Sequence, residues 1–229
     1  MGEISFSPLV GYMGKDLATE GYYNYTPMFV GVDGSAPAVK DIQLTSESSL
    51  ADNKCLLYVL DTTRKFAKTF VWCTEEEFYD VDGWYFGEED TPTDYTLKPG
   101  ESLQAYAPCA VKFTHAGQVD LGAYDFTVTG EGYYMVGNQH ATKMAVKDIS
   151  LTSEESLADN KCLLYVLDTT RRFAKTFVWC TEEEFYDVDG WYFGEEDTPT
   201  TYELEPGEVL QFYASVAAKL SFPAAALNK

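Results

Sequence analysis

The feature that most constrains this chain is a long internal repeat. Between residues 40 and 112, 62 of 73 positions carry the same residue as the position 107 further on. From Ser49 to Thr93 the single difference is Lys65, which becomes Arg172. A unit of roughly 110 residues has the size of a domain, whereas solenoid repeats have roughly 20–50 residues. The chain therefore divides into two predicted domains, residues 1–117 and residues 118–229.

The two copies differ mainly near the ends of the repeated unit. Lys98 corresponds to Glu205 in the second copy, and Ala105 corresponds to Phe212. Near-identity over positions that include both core and surface indicates a recent duplication, so it carries no functional weight. The differences are more informative, because the ends of tandem domains meet different neighbours.

Short runs of β-forming residues dominate each unit, and no segment has a long apolar period of 3.6 residues. In the second copy, residues 162–168 and Phe173–Cys180 flank residues 169–172, which is typical of a hairpin. Thr181 and Glu184 have the spacing of a capping box for one helical turn. Further strands are predicted at 209–214 and 218–222, and strands at 124–129 and 133–137 are predicted as the opening pair of the second unit. This pattern favours an all-β fold of two tandem antiparallel β-sandwich domains, with a small barrel per domain as the alternative.

The charge excludes several classes of partner. The chain has 16 Lys and Arg against 37 Asp and Glu, which gives a formal net charge of −21. Nucleic acids and anionic membrane surfaces would be repelled by such a protein. The sequence has no uninterrupted apolar stretch near the roughly 18 residues of a membrane helix, and its start does not have the pattern of a signal peptide.

Several short motifs resemble those of tandem β-module proteins of gut bacteria. The motifs are an opening Val-Gly-Tyr, Gly-Tyr-Tyr with a nearby Val-Gly, Asp-Ile-x-Leu, Val-Leu-Asp, Gly-Trp-Tyr, and Leu-x-Pro-Gly-Glu before a Tyr-Ala strand. The resemblance covers most of both units. Proteins of this kind occur as secreted or surface proteins, so the resemblance implies a non-enzymatic role outside the cell or on its surface, and it implies no catalytic residues.

Histidine and cysteine offer little catalytic chemistry. The two histidines, His115 and His140, do not recur at matching positions, so we expect them in loops or on the surface. The cysteines of each repeated pair flank the predicted hairpin, and a turn centred on Arg64 would place the first pair directly opposite each other. Two readings stay open, a cross-strand disulfide in each copy and buried free thiols. The paired positions are Cys55 with Cys73 and Cys162 with Cys180.

The acidic segments 75–90 and 182–197 are candidate metal sites. Each contains Asp-x-Asp-Gly, which places hard oxygen ligands on a turn, as calcium requires. A solvated acidic turn is the favoured reading, since the remaining residues do not follow an EF-hand loop. Calcium is the single cofactor that the sequence suggests. The candidate ligands are Asp80, Asp82, Asp187 and Asp189.

Aromatic residues beside these carboxylates are the candidate ligand-binding positions. Neighbours on a strand point to opposite faces, so one ring of each adjacent pair could reach the surface, where it would stack on a sugar. The favoured reading is that most of these rings belong to the core. The candidates are Trp84, Tyr85, Trp191 and Tyr192.

These features favour a non-enzymatic structural or adhesive tandem β-domain protein of a bacterial surface or extracellular assembly. Its expected partners are itself and other surface proteins, through the edge strands at the divergent ends. The alternative is a bivalent carbohydrate-binding protein, with calcium as a cofactor. A hydrolase that uses Asp82 and Asp189 ranks third.

Overall fold

A computed structural model of the chain describes residues 10–31, 34–77, 79–87, 89–167, 173–184, 187–194 and 198–225. The N-terminal strands are β1 (Val10–Leu17), β2 (Gly21–Tyr25), β3 (Phe29–Val30), β4 (Gln43–Thr45), β5 (Leu56–Leu60), β6 (Phe66–Cys73), β7 (Gly83–Phe86), β8 (Leu103–Ala107) and β9 (Val111–Val119). The C-terminal strands are β10 (Tyr124–Val128), β11 (Gly132–Gly137), β12 (Met144–Ala145), β13 (Ser150–Thr152), β14 (Leu163–Leu167), β15 (Phe173–Cys180), β16 (Gly190–Phe193), β17 (Glu203–Leu204), β18 (Val209–Ala214) and β19 (Ala218–Phe222).

Four one-turn 3-10 helices, and no α-helix, occur in the described part of the chain: Val39–Asp41, Glu75–Glu77, Val146–Asp148 and Glu182–Glu184. The all-β prediction is therefore confirmed.

The strands form several antiparallel sheets, and none of the described sheets closes into a barrel. The N-terminal strands give a five-stranded sheet, β2-β8-β5-β6-β7, and a second sheet in which β9 pairs with β1 on one side and with β3 and β4 on the other. The C-terminal strands repeat this plan as β11-β18-β14-β15-β16 and β10-β19-β13, with a short β12-β17 ladder. Each described sheet draws its strands from one half of the chain.

Strand β9 shows how sequence alternation builds these sheets. Val111, Phe113 and His115 are buried, whereas Lys112 between the first two is exposed, as expected of a strand with one face toward a core. Phe113 belongs to a core cluster that also contains Trp72 of the five-stranded sheet. The two N-terminal sheets therefore share one core, and the C-terminal strands have a separate core cluster.

The predicted hairpins are confirmed, but the first two strands of the second unit pair differently from the expectation. Strand β5 pairs with β6, and β14 pairs with β15. In the first hairpin the carboxylate of Asp61 accepts hydrogen bonds from the backbone N–H groups of Thr63 and Lys65, at 2.8 and 3.0 Å. The corresponding residues 168–172 lie outside the described part of the chain. Strands β10 and β11, expected as an opening pair, lie in different sheets because β19 and β18 are their partners.

Backbone hydrogen bonds connect the N-terminal strands to the C-terminal strands. The N–H of Ser102 donates to the carbonyl of Met135 at 3.2 Å, and the N–H of Gly137 donates to the carbonyl of Gly100 at 3.0 Å. Around the hairpin turn, the N–H of Tyr133 donates to the carbonyl of Thr62 at 2.8 Å. The two halves are thus in direct backbone contact at two places.

A substitution at Gly137 tests this contact between the two halves. A Cβ at this position would lie 2.1 Å from Oγ1 of Thr26 and 2.6 Å from the carbonyl oxygen of Glu208, and backbone atoms cannot move away cheaply. We expect Gly137→Ala to lower the free energy of unfolding by about 1–3 kcal/mol in urea denaturation. Gly130→Ala is the control, because no atom lies within 4 Å of its Cβ position. Equal stability of the two variants would contradict the packing described.

Candidate functional site

The aromatic residues predicted to bind a ligand lie in the core. Trp84 and Trp191 are both 0% exposed, Tyr85 is 2% exposed and Tyr192 is 1% exposed. In this arrangement the four rings offer no exposed face for a sugar to stack on. All four rings belong to the core, and neither member of either pair reaches the surface.

Local cover explains why Tyr85 is buried although it points away from Trp84. The ring of Tyr79 lies 4.4 Å from the ring of Tyr85, and the hydroxyl of Tyr85 donates to the carbonyl of Val81 at 2.8 Å. The loop before β7 therefore folds over the outer face of the strand. The hydroxyl of Tyr192 makes the matching bond to the carbonyl of Val188, also at 2.8 Å.

The carboxylates predicted to bind calcium are exposed, and two of them cap short helices. Oδ1 of Asp82 accepts the N–H of Glu75, the first residue of a 3-10 helix, at 2.8 Å. Asp189 does the same for Glu182, also at 2.8 Å. Asp80 and Asp187 are exposed as well. Among the described residues, no group of three or more His, Cys, Asp or Glu side chains is arranged to hold a metal ion.

The glutamate half of the predicted capping box is formed at the same turn. Oε2 of Glu184 accepts the backbone N–H of Thr181 at 3.2 Å and the hydroxyl of Thr181 at 3.4 Å. Glu77 and Thr74 make the same two contacts in the first copy. The acidic residues around this turn thus satisfy backbone N–H groups that the 3-10 helix leaves without partners.

Asp82 gives the test of this capping role. We expect Asp82→Ala to lower the free energy of unfolding by about 0.5–2 kcal/mol, because the N–H of Glu75 loses its acceptor. The matched control is Asp80→Ala, which removes an exposed carboxylate and should change stability little. Both should be measured by thermal unfolding in EDTA and in millimolar calcium, with magnesium as the screening control. A rise in midpoint specific to calcium, lost in either variant, would instead make these residues ligands.

The five cysteines are free thiols, and strand register explains why the paired ones do not face each other. Leu60 pairs with Phe66, which centres the turn on Thr63 and not on Arg64, and a β-bulge between Val59 and Leu60 then shifts the register of β5 against β6 by one residue. As a result Cys55 lies opposite Trp72, whose N–H donates to the Cys55 carbonyl at 3.0 Å. Cys73 is one residue further along the strand and points to the other face of the sheet. The turn-centred alignment that favoured a disulfide was therefore wrong by one residue.

The second copy repeats this geometry. The N–H of Trp179 donates to the carbonyl of Cys162 at 3.0 Å, so Cys180 is again one residue beyond direct opposition. Burial raises the pKa of the Cys162 thiol, and it raises the pKa of the Cys55 thiol to about 12. Both groups stay protonated near neutral pH, and a protonated thiol is a poor nucleophile.

Thiol titration tests the register. Five thiols should react with a disulfide reagent in denaturant whether or not the protein was first reduced. In the folded protein at pH 8, Cys55 and Cys162 should react far more slowly than a free thiol, because they are buried and protonated. A count of one thiol without reduction would show that both cross-strand disulfides form.

Both histidines are buried, contrary to the expectation of loop or surface positions. His115 is 2% exposed on β9, and its burial lowers the pKa of the imidazole. His140 is 1% exposed, with its ring nitrogens 3.2 Å from the carbonyl oxygen of Asp120 and 2.9 Å from that of Pro223. No sequence pattern indicated the burial of these two residues, because neither recurs as histidine in the other copy.

The structure offers two other candidate sites, of which the first is a strand edge. Strand β1 pairs with β9 along all eight of its residues, and β9 is the single described strand that pairs with it. Val10 and Tyr12, at its beginning, are 58% and 68% exposed. A long edge strand with exposed apolar side chains is the surface to which another chain can add a strand.

The second candidate is a cavity of about 620 Å³ between N-terminal and C-terminal residues. One wall includes Met13, Lys15 and Tyr25, and the opposite wall includes Tyr202 and the turn 205–208. Its volume lies within the range of small-molecule sites. Sequence reasoning did not find it, because its walls come from segments that lie far apart in the chain.

Comparisons with known proteins add little. No family model and no curated protein matches the chain. Among solved structures, the chain is similar to the crystal structure of the infectious bursal disease virus VP2 subviral particle. The match covers 94% of this chain and 71% of that chain, with 11% identity and a TM-score of 0.21. A TM-score this low supports no conclusion about fold or function. Within the described residues, no helix is both long and apolar enough to cross a membrane.

Proposed function

We propose that this protein is a non-enzymatic structural or adhesive module of a bacterial surface or extracellular assembly. It is built of two tandem antiparallel β-sandwich domains, residues 1–117 and 118–229, that arose by duplication. Its partners are other copies of itself or other surface proteins, which it meets by adding strands edge to edge. The segregation of sheets and core clusters between the two halves supports the two-domain part of this proposal.

The observation that carries the assembly part is the edge of β1. The side chains on its outer face, Val10 and Tyr12, are exposed and lie next to each other along the edge. The side chains of the other face, ending at the buried Leu17, turn inward and hold the strand in its sheet. A partner strand would find backbone N–H and C=O groups fixed in extended conformation, with two apolar side chains to cover.

A carbohydrate-binding function is supported less well. It requires accessible aromatic rings, and Trp84 and Trp191 are both 0% exposed. Their indole N–H groups, which would otherwise be available to a ligand, donate to the carbonyls of Ile42 and Ile149 at 2.7 and 2.9 Å. No observation of the described residues favours a hydrolase at Asp82 or Asp189, since both cap helices.

Lysine substitutions at the edge test the assembly. Wild-type protein should self-associate as its concentration rises, measured by light scattering after size exclusion. The double variant Val10→Lys and Tyr12→Lys should weaken association at least about tenfold, because charged side chains on an edge strand oppose strand addition.

The control is the double variant Val81→Lys and Val188→Lys. These residues are both 46% exposed but lie in turns, so the variant adds the same charge away from any strand edge. Its association should match that of the wild type. A strict monomer at all concentrations, or equal association of both double variants, would refute assembly through β1.

A further inference from the structure

The cavity between the two halves has a filled counterpart, and strand register identifies it. Met13 on β1 pairs with His115, and Tyr124 on β10 pairs with Phe222. His115 and Phe222 are separated by 107 residues, which is the offset of the repeat. Met13 and Tyr124 therefore occupy equivalent places in the two halves.

The same register gives the remaining equivalences. Lys15 pairs with Phe113, and Phe126 pairs with Leu220, again one repeat apart, so Lys15 corresponds to Phe126. On the next strand along the chain in each half, Tyr25 pairs with Leu103 and Val136 pairs with Leu210. These partners are again one repeat apart, so Tyr25 corresponds to Val136. Across the cleft, Gly207 is the repeat copy of Gly100.

The counterpart of the cavity, which we call the filled cleft, is the place where the rings of Tyr124 and Phe126 pack tightly against the turn at Gly100. A Cβ on Gly100 would lie 3.2 Å from the ring of Tyr124 and 3.4 Å from the ring of Phe126. The hydroxyl of Tyr124 donates to the carbonyl of Gly137 at 2.8 Å and accepts the N–H of Gln139 at 3.2 Å. The ring of Tyr124 thus packs in an apolar space, and its hydroxyl has two hydrogen-bond partners on the backbone.

At the cavity itself, which we call the open cleft, no such pair of rings is present among the described residues of β1. Met13 and Lys15 stand in the places of Tyr124 and Phe126, and a cavity of about 620 Å³ remains. The nearest atoms to a Cβ on Gly207 are the carbonyl oxygen of Thr26 at 3.5 Å and the sulfur of Met28 at 3.6 Å. Thr26 and Met28 line the cavity and lie one and three residues after Tyr25, as Gly137 and Gln139 lie one and three residues after its counterpart Val136.

The polar groups of the cavity are only partly satisfied. The ammonium of Lys15 has three N–H donors and one hydrogen-bond acceptor among the described residues, the carbonyl of Asn24 at 2.6 Å. Burial lowers the pKa of Lys15, and the nearby carboxylate of Glu208 opposes this in part. Tyr25, 1% exposed, lines the cavity, and its hydroxyl has no partner within the described chain. Buried polar groups that lack hydrogen-bond partners favour a ligand that supplies such partners.

We propose that this cavity binds a small, neutral aromatic molecule that carries a hydroxyl group, a phenol, in the position that Tyr124 takes in the filled cleft. The ring lies among Met13, Met28 and Tyr202, against the ammonium of Lys15, which gains a cation–π contact. The hydroxyl lies at the carbonyl of Thr26 and the N–H of Met28, as the Tyr124 hydroxyl lies at their counterparts. This site is independent of the assembly proposed for the β1 edge.

The charges of the cleft favour a neutral ligand over an aromatic carboxylate. Glu205 and Glu208 line the same cavity. Glu208 already accepts hydrogen bonds from the hydroxyl of Tyr202 at 2.6 Å and the N–H of Glu205 at 2.8 Å, and Glu205 pairs with Lys143. Lys15 is the single cation in the lining, so a carboxylate would face two carboxylates and a protein of net charge −21.

Calorimetric titration of the full chain with p-cresol tests the proposal. We expect one molecule bound per chain, with a dissociation constant of about 0.1–1 mM for so small a ligand. Toluene, which lacks the hydroxyl, and 4-methylbenzoate, which is an anion, should each bind at least about tenfold more weakly.

The decisive variant copies the filled cleft into the open one. Met13→Tyr combined with Lys15→Phe should abolish binding of p-cresol and raise the unfolding midpoint, since the protein's own rings then occupy the space. Met13→Phe alone should weaken binding and serves if the double variant does not fold. Val81→Lys, at an exposed turn position outside the cavity lining, is the control and should bind p-cresol as the wild type does.

Three results would overturn the proposal. One is that p-cresol fails to bind at concentrations up to about 10 mM, well above the expected constant. Another is that a folded variant at Met13 binds p-cresol with unchanged affinity, which would place binding elsewhere. The third is that 4-methylbenzoate binds more tightly than p-cresol, which would make the site one for anions at Lys15.

Discussion

The hydrogen bond from the indole of Trp84 to the carbonyl of Ile42, at 2.7 Å, joins the two sheets of the N-terminal half. Trp84 lies on β7 at the edge of the five-stranded sheet, and Ile42 directly precedes β4 of the other sheet. The ring also packs edge-on against Trp72, with centroids 5.2 Å apart. Losing such a buried ring typically costs about 3–5 kcal/mol, so this contact fixes how the sheets meet. Trp191 and Ile149 repeat it at 2.9 Å, which gives each half the same packing.

Local sequence patterns predicted most of the strands, because turn residues and short apolar runs act within a few residues. The strands at 209–214 and 218–222 and the hairpin pairings are confirmed. Side-chain exposure was predicted less well, since it depends on segments outside the strand itself. Strand alternation suggested that Tyr85, beside Trp84, could be exposed, but the loop that carries Tyr79 folds over its ring. The roles of Asp82 and Asp189 as helix caps could not be predicted from the sequence, since each carboxylate accepts an N–H from a residue seven positions earlier in the chain.

Near-identical sequences nevertheless build unequal surroundings in the two halves. The cores match almost residue for residue, whereas the segments that meet across the junction come from the divergent ends of the unit. Glu205 in the cavity lining, for example, stands where the first copy has Lys98. The difference between a filled and an open cleft lies in strands β1 and β10, which precede the conserved part of each unit. A repeat alignment alone could not reveal it, because the equivalence of these strands follows from pairing register and not from residue identity.

The β-bulge between Val59 and Leu60 has a consequence beyond strand geometry. Without the extra residue, Cys55 would lie opposite Val71, on the same face of the sheet as Cys73; with it, Cys55 lies opposite Trp72 and the two thiols are on opposite faces. The folded state then contains no bond that an oxidant must form or a reductant can break. This structure therefore needs no oxidising compartment in which to form.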